Sequence, residues 1–309
     1  MPRVPHPIPY QGSKRLLAPL ILEHFPARVA TLYEPFAGSA AISLAAASRE
    51  PDTRFSLADS LAPLVGIWSL ILADPAQLAD DYERLWLAQG PDPRVFYDET
   101  RAAFNADGGP ARLLYLLARC VKNAVRFSQA GDFNQSPDNR RLGRRPPGMR
   151  DHILRAHELL RGRAQASAGD YVEVIRSATP DDLVYMDPPY QGTSGGSDRR
   201  YHQPFDRTRF VSEVAGLVDR GVPFLISLDG RTGAKTYGPG LPAELGLTRV
   251  ELHAGRSAQA TLSGRAAETY ESLYLSPTLA SETTALRRSV KGSPDRTPNA
   301  EQPPAHHSR

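Results

Sequence analysis

The sequence has one cysteine in 309 residues and contains no long apolar run. The single cysteine, Cys120, excludes an internal disulfide and any cysteine-rich zinc site, which is typical of a reducing compartment. No stretch is long enough to cross a bilayer, and the opening MPRVPHPIPYQGSKR lacks the apolar segment of a signal peptide. From these absences we expect a cytoplasmic protein with no membrane partner. The spacing of the eight histidines also fits no metal site, so we expect no bound metal.

The charge is small in total but unevenly placed. The net charge is +3, whereas eleven Lys and Arg and only four Asp and Glu lie between Arg119 and Arg163. The rest of the chain is therefore net negative. With 40% hydrophobic and 23% charged residues the composition is that of a globular protein, and the basic segment predicts a polyanionic partner.

Short apolar runs predict an α/β core that is interrupted once. After a starting helix at 15–24, residues up to 60 predict a strand, a helix at 40–48 and a second strand. Further strand-like runs occur at 183–186, 222–228, 247–252 and 270–275, with a helix at 208–219. We therefore expect the core to comprise residues 1–60 and 168–280.

The intervening residues 61–167 have a different texture. Amphipathic helical stretches, clearest at 113–121, lead into an irregular segment rich in Gly, Asn, Arg and Pro that continues to Met149. We expect an inserted lobe here. Residues 281–309 are rich in Pro, Ser, Thr and Arg and predict a disordered tail.

The tetrapeptide Asp187-Pro188-Pro189-Tyr190 follows the apolar run 183–186, at the carboxyl end of a predicted parallel strand. Open α/β sheets bind ligands at that edge. The prolines remove two N–H donors, so the Asp187 carboxylate and the nearby carbonyls form an acceptor-only rim that would hold an amino group. The alternative is a plain turn that closes the strand, because Asp and Pro are common turn residues.

A second turn follows the first predicted strand and enters a helix. Gly38 and the small Ala40 in this turn would let a nucleoside approach the backbone. Asp59 ends the second strand, where an acidic residue can accept hydrogen bonds from ribose hydroxyls. Each signal is weak alone, and their order with the proline motif favours a nucleotide-binding site.

These motifs together resemble the Dam-type N6-adenine-specific DNA methyltransferases over most of residues 9–277. The matching segments are residues 10–15, the turn 34–40, Ala58-Asp59, Arg126 through Phe133-Asn134, the tetrapeptide 187–190 and the strand 225–227. The resemblance implies a Rossmann-like sheet that uses S-adenosyl-L-methionine, with an inserted, mainly helical DNA-recognition lobe carrying a β-hairpin. It also implies methyl transfer to the N6 amine of adenine in double-stranded DNA.

The family also implies site residues. Tyr10, Lys14, Asp59 and Asp187 would line the cofactor site, with Phe36 and Gly38 as its floor. Asp187, Pro188 and Tyr190 would be catalytic: the Asp187 carboxylate and the Pro188 carbonyl accept the protons of the target amine, and Tyr190 stacks on the flipped base.

The sequence departs mildly from the family at two positions. The second glycine of the family's turn is Ala40, and Tyr10 stands where many relatives have Trp. Judged without the family, Lys14 would instead be a solvated charge and Tyr10 a packing aromatic.

Residues 121–134 resemble the hairpin with which the family enters DNA. Val125 and Phe127 alternate with polar residues, and Gly131 lies at the bend, which suits two short strands. Arg126 is the candidate for contact with guanine, and Asn123 or Gln135 for contact with adenine.

Other residues of this region are expected to bind DNA, but the recognition sequence cannot be carried over. Asn123 lies three residues before Arg126 where relatives have four, and a Pro-x-Gly is replaced at 136–138. The further expected nucleic-acid contacts are Lys122 and Asn134, with Arg140, Arg141, Arg144 and Arg145 on phosphates. A solvated basic loop is the alternative for the arginines.

Two loops are expected near the DNA. The loop at 191–206, with Gly192, Gly195 and Gly196, would close over the flipped base, and residues 255–261 resemble another family loop. Ordinary surface loops are the alternative for both.

Other functions stay open. The acceptor chemistry would also serve a purine amine in structured RNA or the amine of cytosine, and a catalytically inactive DNA-binding specificity module is a further alternative. A DNA methyltransferase can also protect the sites of a cognate restriction endonuclease without required contact. The sequence does not distinguish that role from a stand-alone one.

Overall fold

The structure, a computed structural model, describes residues 3–189, 205–233, 235–256 and 268–281. Within these ranges the strands form one mixed sheet in the order β3-β2-β1-β4-β5-β8-β7, with β6 paired to β5. The first five strands in this order, β3, β2, β1, β4 and β5, run parallel to one another. Strand β8 pairs antiparallel to both β5 and β7. The strands are β1 Thr31–Glu34, β2 Arg54–Asp59, β3 Ala164–Ala168, β4 Leu183–Met186, β5 Phe224–Thr232, β6 Lys235–Tyr237, β7 Thr248–Arg256 and β8 Glu268–Leu275.

Helices cover the sheet and fill the interval between β2 and β3. They are α1 Ala18–Leu22, α2 Ala41–Ala47, α3 Ala62–Ala73, α4 Pro75–Leu87, α5 Pro93–Asp107, α6 Pro110–Arg119, α7 Pro146–Leu160, α8 Tyr171–Arg176 and α9 Arg207–Asp219. Several begin at an aspartate whose carboxylate accepts a hydrogen bond from a first-turn N–H: Asp74, Asp92, Asp170 and Asp206. Such caps satisfy N–H groups that have no partner within the helix.

Alternate residues of β4 enter two different cores. Leu183 and Tyr185 belong to a cluster that includes side chains of α1 to α7, whereas Val184 and Met186 pack with α8 and α9. This follows from the two-residue repeat of a strand, and it explains why β4 is apolar at every position. The helices of the 61–167 interval therefore share one core with the sheet.

The core strands predicted from the sequence are confirmed within a few residues. The starting helix differs, because the chain forms a 3-10 turn at Lys14–Leu16 and then the short α1. Pro19 explains the restart: it lacks an N–H and is tolerated only in the first turn of a helix. The predicted irregular segment ends earlier than expected, since α7 begins at Pro146.

Strand β3 lies at the edge of the core sheet although most of it falls in the interval 61–167. It pairs in parallel register with five residues of β2, from Phe55 with Ala164 to Asp59 with Ala168. The domain boundaries stay a prediction. The expected disordered tail, beyond its first residue Ser281, lies outside the described residues.

The chain doubles back near Gly131 (φ +90°), but its antiparallel pairing is limited to isolated bridges rather than the two predicted strands. Phe127 bridges Phe133 as a non-hydrogen-bonded pair, so the N–H and C=O of Phe133 face outward. The Asn105 side chain satisfies both, at 2.9 and 3.2 Å. A side chain therefore takes the place of a further strand.

Among the described helices, none combines the length and the apolar character that crossing a membrane requires.

Candidate active site

The predicted motifs meet where the strand order of the sheet reverses. From β1 the chain proceeds outward through β2 to β3, and it then returns to the other side of β1 as β4. The turn that contains Gly38 follows β1, and Asp187 follows β4, so both lie at the carboxyl ends of adjacent parallel strands. Such a switch point is where open α/β sheets form a ligand crevice.

The centre of this crevice is an ion-pair network around Lys14. The Nζ atom of Lys14 donates to both carboxylate oxygens of Asp187 at 2.8 Å, and it lies 3.1 Å from Oε1 of Glu271. It also donates to the carbonyl of Gly12 at 3.3 Å. Only 8% of the Lys14 side chain is exposed, so it is not a solvated charge.

The ionisation of this network reflects burial and pairing. Burial lowers the pKa of Lys14, but Asp187 and Glu271 outweigh it and hold the pKa above its ordinary value, so Lys14 is a cation. Burial also raises the pKa of Asp187 to about 6, which Lys14 opposes and Glu271 reinforces. Near neutral pH the site therefore holds an ionised Asp187 beside a fixed ammonium.

The turn after β1 is built around Gly38. Its φ of +47° lies in the left-handed region, and the Cε1 atom of Tyr10 would stand 3.2 Å from a Cβ added here. The N–H of Gly38 donates to Oδ2 of Asp59 at 3.0 Å, and its carbonyl accepts from Nε1 of Trp68 at 3.0 Å. Two other predicted residues, Tyr10 and Asp59, thus both adjoin Gly38.

Asp59 is oriented by backbone donors. Its Oδ1 accepts from the N–H of Leu61 at 3.0 Å while Oδ2 accepts from Gly38, and burial raises its pKa against these bonds. Each carboxylate oxygen has further lone pairs. Asp59 can therefore accept additional hydrogen bonds from hydroxyl groups without leaving its position.

Glu34 lies buried under the same turn, with 3% exposure. The backbone N–H and the hydroxyl of Ser43 donate to its Oε2 at 3.0 and 2.5 Å. Burial raises the pKa of Glu34 to about 7 despite these bonds. The residue joins the end of β1 to α2, across the left-handed Ala40 (φ +46°) that replaces the family's second glycine.

An aromatic cluster lies beside the turn. Phe36 stacks on Tyr171 with 5.2 Å between ring centroids and meets Phe205 and Phe210 edge-on at 6.3 and 6.4 Å. Tyr171 opens α8, directly after the strand next to β2. Sequence reasoning missed Tyr171, although an aromatic after the Asp170 cap at the end of a strand could have indicated it.

The proline motif is only partly described. Pro188 is buried directly after Asp187, whereas Tyr190 and residues 191–204, including Gly192, Gly195 and Gly196, lie outside the described residues. The same holds for residues 257–261 of the other predicted loop. Glu271, which completes the network, was also missed, because only the fold brings β8 to Lys14.

The predicted DNA-contacting residues fall into two groups. The exposed ones are Lys122, Arg126, Asn134, Arg140, Arg141 and Arg145. Asn123 differs, because its amide Nδ2 donates to the carbonyl of Leu117 at 2.8 Å and so caps α6. Contact between Asn123 and an adenine would require that bond to break.

Arg144 also differs from the exposed arginines. It is half-buried, and its Nη1 donates to the carbonyl of His6 at 2.8 Å, while its own carbonyl accepts from the Tyr82 hydroxyl at 2.7 Å. Beside it lies a cavity of about 280 Å3, lined by residues of the amino-terminal segment and of the interval 61–167, among them Tyr10, Arg15, Asn123 and Arg144.

No group of three or more His, Cys, Asp or Glu side chains in the described ranges is arranged to hold a metal ion. The expectation of a metal-free protein stays a prediction.

Comparison with known proteins connects this geometry to a family. A family model described as "D12 class N6 adenine-specific DNA methyltransferase" matches residues 10–228. That interval includes Tyr10, Lys14, the Gly38 turn, Asp59 and the 187–190 tetrapeptide.

Individual relatives are distant. The chain is 27% identical to a DNA N-6-adenine-methyltransferase of Escherichia phage P1 over 64% of its own length, and that match covers only 26% of the phage protein. It is 25% identical to the retron Ec67 DNA adenine methylase of Escherichia coli, over 71% of this chain and 75% of the relative. A DNA adenine methylase of Vibrio cholerae is 23% identical over 59% and 63%, respectively.

The family match spans more than half of the chain and includes the residues that meet at the switch point of the sheet. The chain belongs to the D12 class N6 adenine-specific DNA methyltransferase family.

Proposed function

We propose that this chain transfers a methyl group from S-adenosyl-L-methionine to the N6 amine of an adenine that is flipped out of double-stranded DNA. The observation that carries the proposal is the Lys14–Asp187 ion pair, which lies at the carboxyl end of β4 next to the Gly38 turn. The family and the names of the relatives support the same activity.

The residues around Gly38 fit a nucleoside cofactor. The left-handed glycine leaves the turn without a Cβ where one would press on Tyr10, so the backbone is open to close approach. In this proposal Asp59, which already accepts from Gly38, accepts further hydrogen bonds from the ribose hydroxyls, and the stacked Phe36 and Tyr171 rings form an apolar wall against the adenine of the cofactor. The bound cofactor supplies a methyl group on a cationic sulfur.

Asp187 and the backbone that follows it serve the other reactant. The lone pair of an adenine amine is delocalised into the ring, which makes the nitrogen a poor nucleophile. Hydrogen bonds from the amine protons to the Asp187 carboxylate and the Pro188 carbonyl would localise that lone pair on nitrogen. Lys14 holds the carboxylate in place with two 2.8 Å bonds.

The transfer is a direct displacement. The bond between carbon and nitrogen would form as the bond between carbon and sulfur breaks, the cofactor would leave as a neutral thioether, and the Asp187 carboxylate that accepts a hydrogen bond from the amine would take one amine proton. Tyr190, which follows the prolines, stacks on the base in this proposal. Arg126 contacts guanine in the major groove, and Lys122, Asn134 and the exposed arginines contact the DNA around it.

Transfer of labelled methyl from S-adenosyl-L-methionine tests the substrate. Unmethylated duplex DNA and bulk RNA would be offered separately, and the labelled nucleoside would be identified by mass spectrometry. The proposal predicts N6-methyladenine in DNA. Label confined to RNA, label in N4-methylcytosine, or no label in either polymer would each contradict it, the last in favour of an inactive DNA-binding module.

A further inference from the structure

The proposed transfer assigns no role to Glu271, which also belongs to the ion-pair network around Lys14. It lies on β8, opposite Gly230 of β5, and β5 is the immediate neighbour of β4. Its Oε1 atom is 3.1 Å from Nζ of Lys14, and its side chain is 14% exposed. One ammonium therefore stands between two carboxylates that come from different strands.

This sharing limits how strongly Lys14 can bind Asp187. An ammonium has three N–H donors, and here Nζ donates to both carboxylate oxygens of Asp187 and to the Gly12 carbonyl while it also lies 3.1 Å from Oε1 of Glu271. If the charge of Glu271 were removed, the Lys14 ammonium would interact more strongly with the Asp187 carboxylate. The Asp187 oxygens would then become weaker acceptors for any other donor.

The remaining charged and titratable groups around Asp187 do not replace Glu271. Tyr185, on β4, donates to or accepts from the Ser227 hydroxyl at 2.8 Å, and burial raises its pKa well above the ordinary value. Glu34, at the end of β1, is raised to a pKa of about 7 by burial, with a smaller contribution from Asp187. Lys14 and Glu271 are therefore the principal charges that act on Asp187.

We propose that Glu271 is a positioning residue of the transfer site: it takes a share of the Lys14 ammonium and thereby leaves Asp187 able to accept the protons of the target amine. The inference rests on the proposed function, because it explains how Asp187 can be held by Lys14 and still be available to a substrate. Glu271 itself acts through Lys14 and need not touch the base.

The Asp187 carboxyl titration tests this without requiring activity. Aspartate labelled with 13C at the carboxyl carbon would be followed by NMR from pH 4 to 9 in the wild type, with the Asp187→Asn variant used for assignment. Glu271→Gln should lower the Asp187 midpoint by about one pH unit, because a like charge is removed. Glu271→Asp, which keeps the charge, should leave the midpoint closer to that of the wild type.

The matched control is Glu251→Gln. Glu251 is an exposed carboxylate on the adjacent strand β7 and pairs with Arg231 at 3.0 Å, so it makes the same kind of ion pair without facing Lys14. Its loss should leave the Asp187 midpoint unchanged. An Asp187 midpoint that does not move in Glu271→Gln, or that moves equally in Glu251→Gln, would overturn the inference.

Kinetics separate this inference from the proposed function. In Glu271→Gln, kcat for DNA methylation should fall about tenfold at pH 7.5, its acid limb should move to lower pH, and KM for DNA should change little. If the wild type methylates DNA and Glu271→Gln keeps the wild-type kcat and acid limb, the inference fails and the function stands. If the wild type methylates no DNA, the function fails, and the NMR midpoint still decides whether Glu271 controls Asp187.

Discussion

Single side chains and one glycine shape the site at the residue scale. Gly38 is held from three directions, by Asp59, Trp68 and the Tyr10 ring. Lys14 is fixed by Asp187 and Glu271. These contacts join five separate parts of the chain: residues 10–14, Gly38, residues 59–68, Asp187 and Glu271. A substitution at the turn should therefore weaken cofactor binding more than it weakens the fold.

Gly38→Ala tests the turn. An alanine here would have to keep the left-handed φ of Gly38, and its Cβ would lie 3.2 Å from the Tyr10 ring. The free energy of unfolding should therefore fall by about 1–2 kcal/mol. The Kd for S-adenosyl-L-methionine, measured by calorimetry, should rise at least about tenfold. Gly162→Ala is the matched control, since Gly162 has a φ of +72° and no atom within 4 Å of the added Cβ. Equal losses of cofactor affinity in both variants would contradict the assignment.

Glu34 should make stability depend on pH. Its folded pKa of about 7 lies above the ordinary 4.5, so its contribution is fully present below pH 4.5 and is lost as the pH rises through 7. The loss amounts to about 3 kcal/mol. Glu34→Gln should therefore remove most of this dependence relative to the wild type in urea unfolding at pH 5 and pH 8. Parallel pH profiles for the two proteins would show that Glu34 is ionised in the fold at both pH values.

At the scale of elements, the parts that carry a local pattern were predictable. The strand β4 is apolar throughout and is followed by two prolines, and α2 is rich in alanine, so both were found. The strand β3 was missed because Ala164–Ala168 lies at the sheet edge and only Ala164 and Ala166 pack against the core. Its register comes from β2 rather than from its own sequence.

The site residues also separate into those that a sequence motif predicts and those that only the fold reveals. Lys14, Gly38, Asp59 and Asp187 lie in motifs that the family resemblance could match. Glu271 could not be found, because it is one acid in an ordinary strand, and only the pairing of β8 with β5 brings it to Lys14. Similarly, a sequence shows that Arg144 is basic but not that the carbonyl of His6 holds its guanidinium.

The exposed arginines of the 138–145 loop should govern electrostatic affinity for DNA. Reversing Arg140, Arg141 and Arg145 to Glu should weaken binding to any duplex sequence and reduce the slope of log Kd against log salt by about 1 for each phosphate that is no longer neutralised. Arg141 should contribute least, since Asp138 already pairs with it at 2.6 Å. An unchanged affinity and salt slope, measured by fluorescence anisotropy, would leave these arginines as a solvated loop.

At the scale of the whole molecule, the amino-terminal segment connects the helical interval 61–167 to the switch point of the sheet. The N–H of Gln11 donates to the carbonyl of Asn123 at 2.9 Å, and the N–H of His6 donates to Nδ1 of His152 on α7 at 2.8 Å. The same segment carries Tyr10 and Lys14 to the switch point. The proposed cofactor site and the predicted DNA-binding region are therefore attached to one stretch of backbone.

Arg144→Met tests this connection. Removing the guanidinium leaves the His6 carbonyl without its charged donor, at a cost of about 1–3 kcal/mol in the free energy of unfolding. Affinity for S-adenosyl-L-methionine should fall along with stability, because Tyr10 and Lys14 are held less firmly. Arg140→Met should change neither quantity. If Arg144→Met behaved as Arg140→Met does, the segment would not depend on this hydrogen bond.

Asp187 is the most direct point at which to test the account. The rate of methyl transfer to duplex DNA would be measured in single turnovers for the wild type, Asp187→Ala and Asp181→Ala, the last an exposed aspartate near the other end of β4. Asp187→Ala should slow transfer at least about 100-fold at saturating cofactor, while Asp181→Ala keeps the wild-type rate. Transfer by Asp187→Ala at the wild-type rate would contradict the central claim.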